Sequence, residues 1–368
     1  RQWVLALSLL FSMAQASVEQ DTISYNAALS ACEKGMQWAM ALCLLVAMAS
    51  ARVRQDAISF SAAVHACEVC GKWGKAHELL HELLRARIPD VTASRVRHVR
   101  QYVHRFQAGG PAECFKHVVL IVLLQHMVSN GASFTYIDAH AGAGRYDLGS
   151  SEALLFKNFQ DGALRLARVI DTGDNAMCPI TKYVEILKSY GCDGSPGAQE
   201  MDGCYCPGSP AVALHWLRRQ DRALFFEASA PVASELRRCV AEIGGASGAA
   251  TEVLEEDSYN WLLHAPASAF SGRGLVLVDP PYDSVGSYFT WTLFVLDHVI
   301  QRWPNSCVAL WYPILDPSHM EGFYQRAREL WAGRALAAEL SVPRRSPEQL
   351  AGSGMLLVRP PGETAREL

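Results

Sequence analysis

No stretch of this sequence reaches the roughly 18 consecutive apolar residues that a membrane-spanning helix needs. The run Val118 to Leu124 is short and flanked by Lys116-His117 and Gln125-His126. Charge of one sign is also scarce. The net charge of −4 leaves no global basic character, so any nucleic-acid contact has to come from a local patch. The eleven cysteines do not form a disulfide framework, because they are scattered through apparent helices and strands. Cys67-x-x-Cys70 and Cys204-x-Cys206 have no second pair at zinc spacing and few histidines nearby, so no metal is expected. Reduced structural thiols imply a reducing, intracellular compartment, and the short apolar runs imply no membrane span. The chain starts at Arg1 rather than Met, and a native N-terminus with any targeting peptide is expected to lie before it. What is present is apolar bulk: 368 residues, 50% hydrophobic, enough for two or three domains with real cores.

The N-terminal third repeats. Arg1 followed by the apolar run Trp3 to Phe11 could pass for a signal peptide, but a shift of 35 residues argues otherwise. Trp3 maps to Trp38 and Trp73, Ala6 to Ala41 and Ala76, and Leu9-Leu10 to Leu44-Leu45 and Leu79-Leu80. Asp21-Thr22-Ile23-Ser24-Tyr25-Asn26 likewise matches Asp56-Ala57-Ile58-Ser59-Phe60-Ser61. Each unit carries two helical apolar patterns broken at Lys34-Gly35 or Cys70-Gly71, which predicts an all-α helical-hairpin solenoid over residues 1–90. The period and opening motif resemble the pentatricopeptide repeat family, which binds single-stranded RNA one base per repeat. That resemblance implies that Asn26 with Asp56 faces one base, a uracil by the family's code, and that Ser61 holds the equivalent place in the next unit. A protein-binding or capping scaffold is the alternative, since about two and a half units are few for sequence-specific binding.

Residues 91–117 form a basic junction. Arg95, Arg97, Arg100, Arg105 and Lys116 face a single acid, Glu113, with Tyr102 and Phe106 interleaved and His104 beside them. The mixture suits phosphate contact with occasional base stacking; a solvated linker helix is the plainer reading. Gly109-Gly110-Pro111 then breaks the chain before the next helix.

From residue 118 onward the pattern is α/β. Phe134 to Asp138 reads as a strand followed by Gly142 and Gly144, glycines that let backbone approach a ligand closely. Leu224 to Glu227 reads as the next strand of the sheet, so residues 151–206 are an insertion. It is expected to hold helices near Asn158 to Ile170 and Lys182 to Tyr190, with a loop over 191–207. Further expectations are a helix Ala211 to Arg219, a helix Pro231 to Ile243, a strand Val253 to Asp257 and a closing β-hairpin over Leu336 to Val342 and Gly354 to Val358. Leu275 to Val278, a continuous apolar run stopped by Pro280 and Pro281, is a buried strand presenting Asp279 at its carboxyl end, where open α/β sheets bind ligands. An acid, a carbonyl fixed by proline and the ring of Tyr282 are what the planar amino group of a nucleobase needs. An ordinary capping Asp is the alternative.

Seven motifs occur in order: Tyr102-x-His104-x-Phe106-x-Ala108-Gly109, Phe115-Lys116-His117, Asp138-Ala139-His140-Ala141-Gly142-Ala143-Gly144-Arg145-Tyr146, Pro207-Gly208-Ser209-Pro210, Asp279-Pro280-Pro281-Tyr282, Leu310-Trp311-Tyr312-Pro313 and Gly352-Ser353-Gly354-Met355. Together they resemble the bacterial 23S rRNA adenine-N6 methyltransferases of the J type, over about 101–361. The resemblance implies a Rossmann-like class I methyltransferase domain, monomeric, that uses S-adenosylmethionine to methylate the exocyclic amine of an adenine in rRNA. It further implies that Lys116, His117, His140, Gly142, Gly144, Ser209, Glu227, Asp257 and Asp279 line the cofactor site, that Asp279, Pro280 and Tyr282 act on the base, and that Tyr102, His104 and Arg105 help close over RNA. Glu227 would accept from the ribose hydroxyls, Asp257 would sit by the cofactor's adenine amine, and Lys116 would pair its carboxylate. Gln107, Gly110 and Pro111 depart from the family pattern, as does the short tail after Pro361. The alternatives are an RNA-binding protein with a decayed methyltransferase domain, or an adenine or cytosine amino-methyltransferase for another RNA or for DNA. By analogy with the repeats, the compartment is a mitochondrion or plastid, otherwise the cytoplasm.

Overall fold

The computed structural model describes residues 2–16, 18–85, 107–170, 177–194, 201, 203–281, 287–314, 317–342, 351–362 and 364–368. The chain divides into two compact units, one comprising 1–101, 282–297 and 318–330, the other 102–281, 298–317 and 331–368.

The first unit opens with five helices, α1 (Gln2–Gln15), α2 (Thr22–Lys34), α3 (Trp38–Ser50), α4 (Ala57–Val69) and α5 (Trp73–Arg85). The 35-residue period is visible in their bonding. Asp21 and Asp56 each accept from the backbone N–H of the serine three residues on, closing matching capping boxes at the starts of α2 and α4. Gln20 Nε2 donates to Leu10 O, and Gln55 Nε2 donates to Leu45 O at 2.7 Å. Apolar positions at helical spacing fill the seams: Leu29, Cys32, Ala41, Met48, Val64 and Cys67 are buried.

The second unit begins with α6 (Pro111–Ser129), whose N-cap is Gly110 and whose first turn carries Pro111, where a missing N–H costs nothing. By length and composition this helix passes for a membrane span, which the length of its unbroken apolar run did not indicate, but most of it is buried inside the unit as a core helix. The strands are β1 (Phe134–Asp138), β2 (Arg145–Asp147), β3 (Tyr205–Pro207), β4 (Arg222–Phe226), β5 (Ala250–Leu254), β6 (Arg273–Val278), β7 (Ser306–Ile314), β8 (Ala335–Ser341) and β9 (Gly352–Val358). Seven of them form one sheet in the order β5-β4-β1-β6-β7-β9-β8. It is parallel except that β9 runs antiparallel to β7 and β8. The direction of strand order reverses between β1 and β6, which makes that junction the switch point of the sheet. The core is built from the sheet's apolar strands and α6, with Leu120, Leu123, Tyr136, Phe225, Leu275 and Leu277 buried in one cluster.

Several boundaries differ from the sequence expectation. The single helix expected near Asn158 to Ile170 is a 3-10 turn, Asn158–Gln160, followed by α8 (Ala163–Val169), itself preceded by the short α7 (Ser151–Phe156). The break falls at Gly162, where any Cβ would lie 2.1 Å from Gly109 O, while Ala163 N donates to that same carbonyl. The next helix, α9, spans Pro179–Ser189. The loop expected over 191–207 ends in β3, which pairs antiparallel with β2. Three-residue strands are too short to show a period. Helix α10 is Ser209–Leu214, starting earlier than expected because Pro210 suits a first turn, and α11 is Ala230–Ser247. Strand β5 sits three residues earlier than expected: Gly248, in the left-handed region, ends α11, and β5 is in register with β4 from Ala250. The closing hairpin is β8 with β9, as the sequence indicated.

Candidate active site

Asp138 ends β1 and Asp279 follows the end of β6, neighbouring strands with Asp138 in register with Leu277. The loop after β1 is tied across the carboxyl ends of both its neighbours: Ala139 N donates to Leu277 O and Ala141 N to Phe226 O, each at 2.9 Å. Gly142 and Gly144 have φ of 61° and 80°, which side-chain-bearing residues rarely adopt. At 144 a Cβ would also lie 2.8 Å from Cys239 Sγ of α11. The glycines are therefore required by conformation and by packing.

Seven side chains cluster here. Lys116 Nζ of α6 donates to Asp279 Oδ2 at 2.5 Å, and both groups are largely buried. Burial by itself pulls the Lys116 pKa down, but the charges of Asp279 and Glu113 outweigh it, and the ammonium is held above its usual range. Asp138 is fully buried, accepting from Tyr136 Oη at 3.0 Å and from the His140 N–H, and bonded by Ser209 at the start of α10. Its burial, opposed by the Ser209 and Tyr136 hydrogen bonds and by Lys116, pushes its pKa up to about 6. His140 stands edge-on to Tyr259, ring centres 5.3 Å apart, and burial lowers its pKa to about 4, so it is neutral. Asp279 and Lys116 both act on it electrostatically, which places it in the same cluster.

The other expected site residues lie outside this side-chain cluster. His117 is buried against the insertion, its Nδ1 3.2 Å from Tyr183 Oη. Glu227 follows β4 and accepts from Ser229 N at 2.7 Å; Asp257 lies beyond β5 and accepts from Asn260 N as the N-cap of α12 (Ser258–His264). Lys116 was expected to pair the cofactor's carboxylate; in the structure its partner is Asp279. Pro280 is buried directly after Asp279. Tyr282 and the junction residues Arg95, Arg97, Arg100, Tyr102, His104 and Arg105 lie outside the described residues. Asn26 and Asp56 bond each other at 3.1 Å, and Asn26 Oδ1 accepts from Ser59 Oγ at 2.6 Å, so the Asn26 amide is committed at both ends. Tyr136 and Tyr259 were missed by sequence reasoning. Tyr136 had a signal: two residues before Asp138 on one strand, it shares that residue's face.

The donor set fits S-adenosylmethionine. Four carboxylates, Asp257, Glu227, Asp138 and Asp279, stand at or just beyond the carboxyl ends of four adjacent parallel strands, and a cation carrying hydroxyl and ammonium donors complements them. Among the described residues His140 Nδ1 is buried without a hydrogen-bond partner, a polar atom that such a ligand can satisfy. Among the described residues no group of three or more His, Cys, Asp or Glu is arranged to hold a metal ion.

The sheet order, the glycine loop after β1 and the acids at the strand ends define a class I S-adenosylmethionine-dependent methyltransferase fold. The chain belongs to the family described as ribosomal RNA large subunit methyltransferase D, RlmJ, whose model matches residues 131–368. It is 28% identical over 261 residues to the ribosomal RNA large subunit methyltransferase J of Haemophilus influenzae, covering 71% of this chain and 87% of the relative. The Escherichia coli K12 protein of the same name is 28% identical over 268 residues, 73% of this chain and 89% of that one. The crystal structure of protein LPL1258 from Legionella pneumophila shares the fold, with a TM-score of 0.56 at 22% identity over 70% of this chain and 88% of that one.

Proposed function

We propose that this rRNA methyltransferase transfers a methyl group from S-adenosylmethionine to the exocyclic N6 of an adenine in large-subunit rRNA. The observation that carries the reading is Asp279, set by a proline-stopped strand at the switch point of the sheet and held by Lys116 beside the glycine loop. The cofactor supplies a methyl group on a sulfonium, already activated toward nucleophiles. The N6 lone pair of adenine is delocalised into the ring, so the amine is a poor nucleophile at rest. The Asp279 carboxylate and the Pro280 carbonyl are acceptors for its two N–H bonds, and that pairing favours a more tetrahedral nitrogen. Lys116 fixes which way the Asp279 carboxylate points, and most of the acceleration comes from such alignment. On accepting the methyl group, as the methyl–sulfur bond breaks and the neutral thioether departs, N6 would give up one proton, for which Asp279 is an acceptor. The base must leave its stack to enter, with Tyr282 as the stacking face.

In this reading Glu227 receives the ribose hydroxyls, Asp257 uses what its helix cap leaves free toward the cofactor's adenine, and the 35-residue repeats with the basic junction hold RNA. Because Asn26 is bonded to Asp56 and Ser59, base reading by that pair requires the network to open. Incubating naked large-subunit rRNA with the protein and S-adenosylmethionine, then mass spectrometry of its nucleosides, tests the proposal. N6-methyladenosine is expected; a methylated cytosine, or no methylated nucleoside from cofactor-bound protein, would overturn it.

A further inference from the structure

One pair of side chains lies outside this machinery and has no role in it. Cys192 follows α9 and Cys204 precedes β3, and their sulfurs stand 2.9 Å apart, closer than two non-bonded sulfurs pack. Cys192 Sγ also lies 3.1 Å from Tyr205 O, an alternative acceptor for its single S–H. The backbones on either side are already pinned: Cys192 N donates to Leu187 O, Tyr205 N to Tyr190 O, and Leu148 N to Cys204 O. Two sulfurs held this close by fixed backbones need little movement to bond.

We propose that Cys192 and Cys204 are a modification site: an intramolecular disulfide, formed reversibly by peroxide, that fastens the inserted helix α9 to strand β3. The strand matters because β3 pairs with β2, which begins directly after Gly144, and Gly208 N donates to Gly144 O at 2.8 Å. A bond at this place stiffens the support of the cofactor loop without touching the loop itself. The order of events follows from the two thiols' environments. The hydrogen bond from Cys192 lowers the Cys204 pKa against the opposing effect of burial, while the same bond and burial raise that of Cys192. The Cys204 thiolate attacks a peroxide oxygen, the O–O bond breaks, and hydroxide leaves, giving a sulfenic acid. Cys192 sulfur, losing its proton, then attacks the sulfenic sulfur and water leaves. Two thiols and one hydrogen peroxide become one disulfide and two waters.

Cys206 and Cys114 are the competing partners. Cys206 is buried with its sulfur at Pro207 O, and Cys114 Sγ is engaged by the Tyr183 hydroxyl. The exposed Cys43 serves as an internal gauge of oxidation.

The full chain is titrated with hydrogen peroxide, its remaining thiols are alkylated, and proteolytic peptides are analysed by mass spectrometry. A linked Cys192–Cys204 peptide, lighter by two hydrogens and released by dithiothreitol, is expected at peroxide doses no greater than those that oxidise Cys43. Cys206→Ser should leave the link intact. Cys192→Ser should stop at a sulfenic acid on Cys204, trappable with dimedone. Bond formation should raise the wild-type melting temperature by several degrees. Cys192 and Cys204 both still alkylatable after Cys43 is consumed, or a link from either to Cys206 or Cys114, would overturn the proposal. None of these readouts depends on methyl transfer, so the outcome is separable from that of the functional reading.

Discussion

Lys116 and Asp279 are 163 residues apart in sequence, yet their charged groups meet at 2.5 Å with side-chain exposures of 5% and 14%. An ion pair this buried orients more than it stabilises, because each charge has lost its water. It ties α6, the first helix of the second unit, to the carboxyl end of β6.

Asp279→Ala should therefore do two separable things. Methyl transfer should fall by on the order of 10²–10³-fold or more in kcat/KM, as for loss of one aligned polar contact. Stability should fall by about 3–5 kcal/mol, because a buried ammonium loses its partner. Lys116→Met combined with Asp279→Asn should recover much of the stability and none of the activity. Urea denaturation beside a methyl-incorporation assay checks both, and full activity in Asp279→Ala would remove this residue from its role.

The folded-state pKa of Asp138, about 6, lies above that of an unfolded aspartate. The folded protein holds the proton more tightly, so this group's contribution to stability is complete below about pH 4 and is lost as pH rises toward 6. The loss is about 3 kcal/mol at most. His140, depressed to about 4, acts in the opposite sense: its contribution is complete above the usual histidine range and is lost as pH falls toward 4. The two slopes oppose each other in the wild type. His140→Asn should expose a decline in stability from pH 4 to 6, and Asp138→Asn a rise, both read by denaturation at a series of pH values.

Protonating Asp138 also removes a carboxylate from a site that fits a cation. Affinity for S-adenosylmethionine should fall below pH 6, and isothermal titration between pH 5 and 7.5 measures it. An affinity independent of pH over that range would separate Asp138 from the cofactor.

Gly144→Ala should weaken cofactor binding at least tenfold and cost about 1–2 kcal/mol from its left-handed backbone alone, before the clash with Cys239. Gly272, also at positive φ but with nothing within 4 Å of a built Cβ, is the control for backbone strain without crowding. Calorimetric titration of both variants separates a general effect of strain from a local one at the loop.

Asp56→Ala removes the N-cap of α4 and the partner of Asn26, at a cost of about 1–2 kcal/mol. If the repeats hold RNA through this network, single-stranded RNA affinity should fall as well, and filter binding at fixed salt measures that. Lost stability with unchanged RNA affinity would mark the network as structural.

Much of the catalytic fold was legible in the sequence because buried parallel strands are unbroken apolar runs and their stops are chemical. Leu275 to Val278 with Pro280 beyond it admits few other readings, and the closing hairpin announced itself by two runs of strand length. The capping boxes at Asp21 and Asp56 went unread in the sequence, although each is complete within four residues. The short pair β2 and β3 was not legible, because three residues carry no period, nor was the break at Gly162, which is imposed by the distant carbonyl of Gly109. For the site, the glycines and the acids at the strand ends were identifiable one by one. The pairing of Lys116 with Asp279 was not: its sequence neighbours say only that a cation is present.

The sequence by itself determined the local elements, the 35-residue repeat and the kinds of chemical group available, because turns, caps and strand stops depend on residues close along the chain. Only the tertiary structure decided the partners. Sheet order brought β6 beside β1 across more than a hundred intervening residues, and α6 carried Lys116 to Asp279. Electrostatic contact falls off with distance in space, and separation along the chain does not fix that distance.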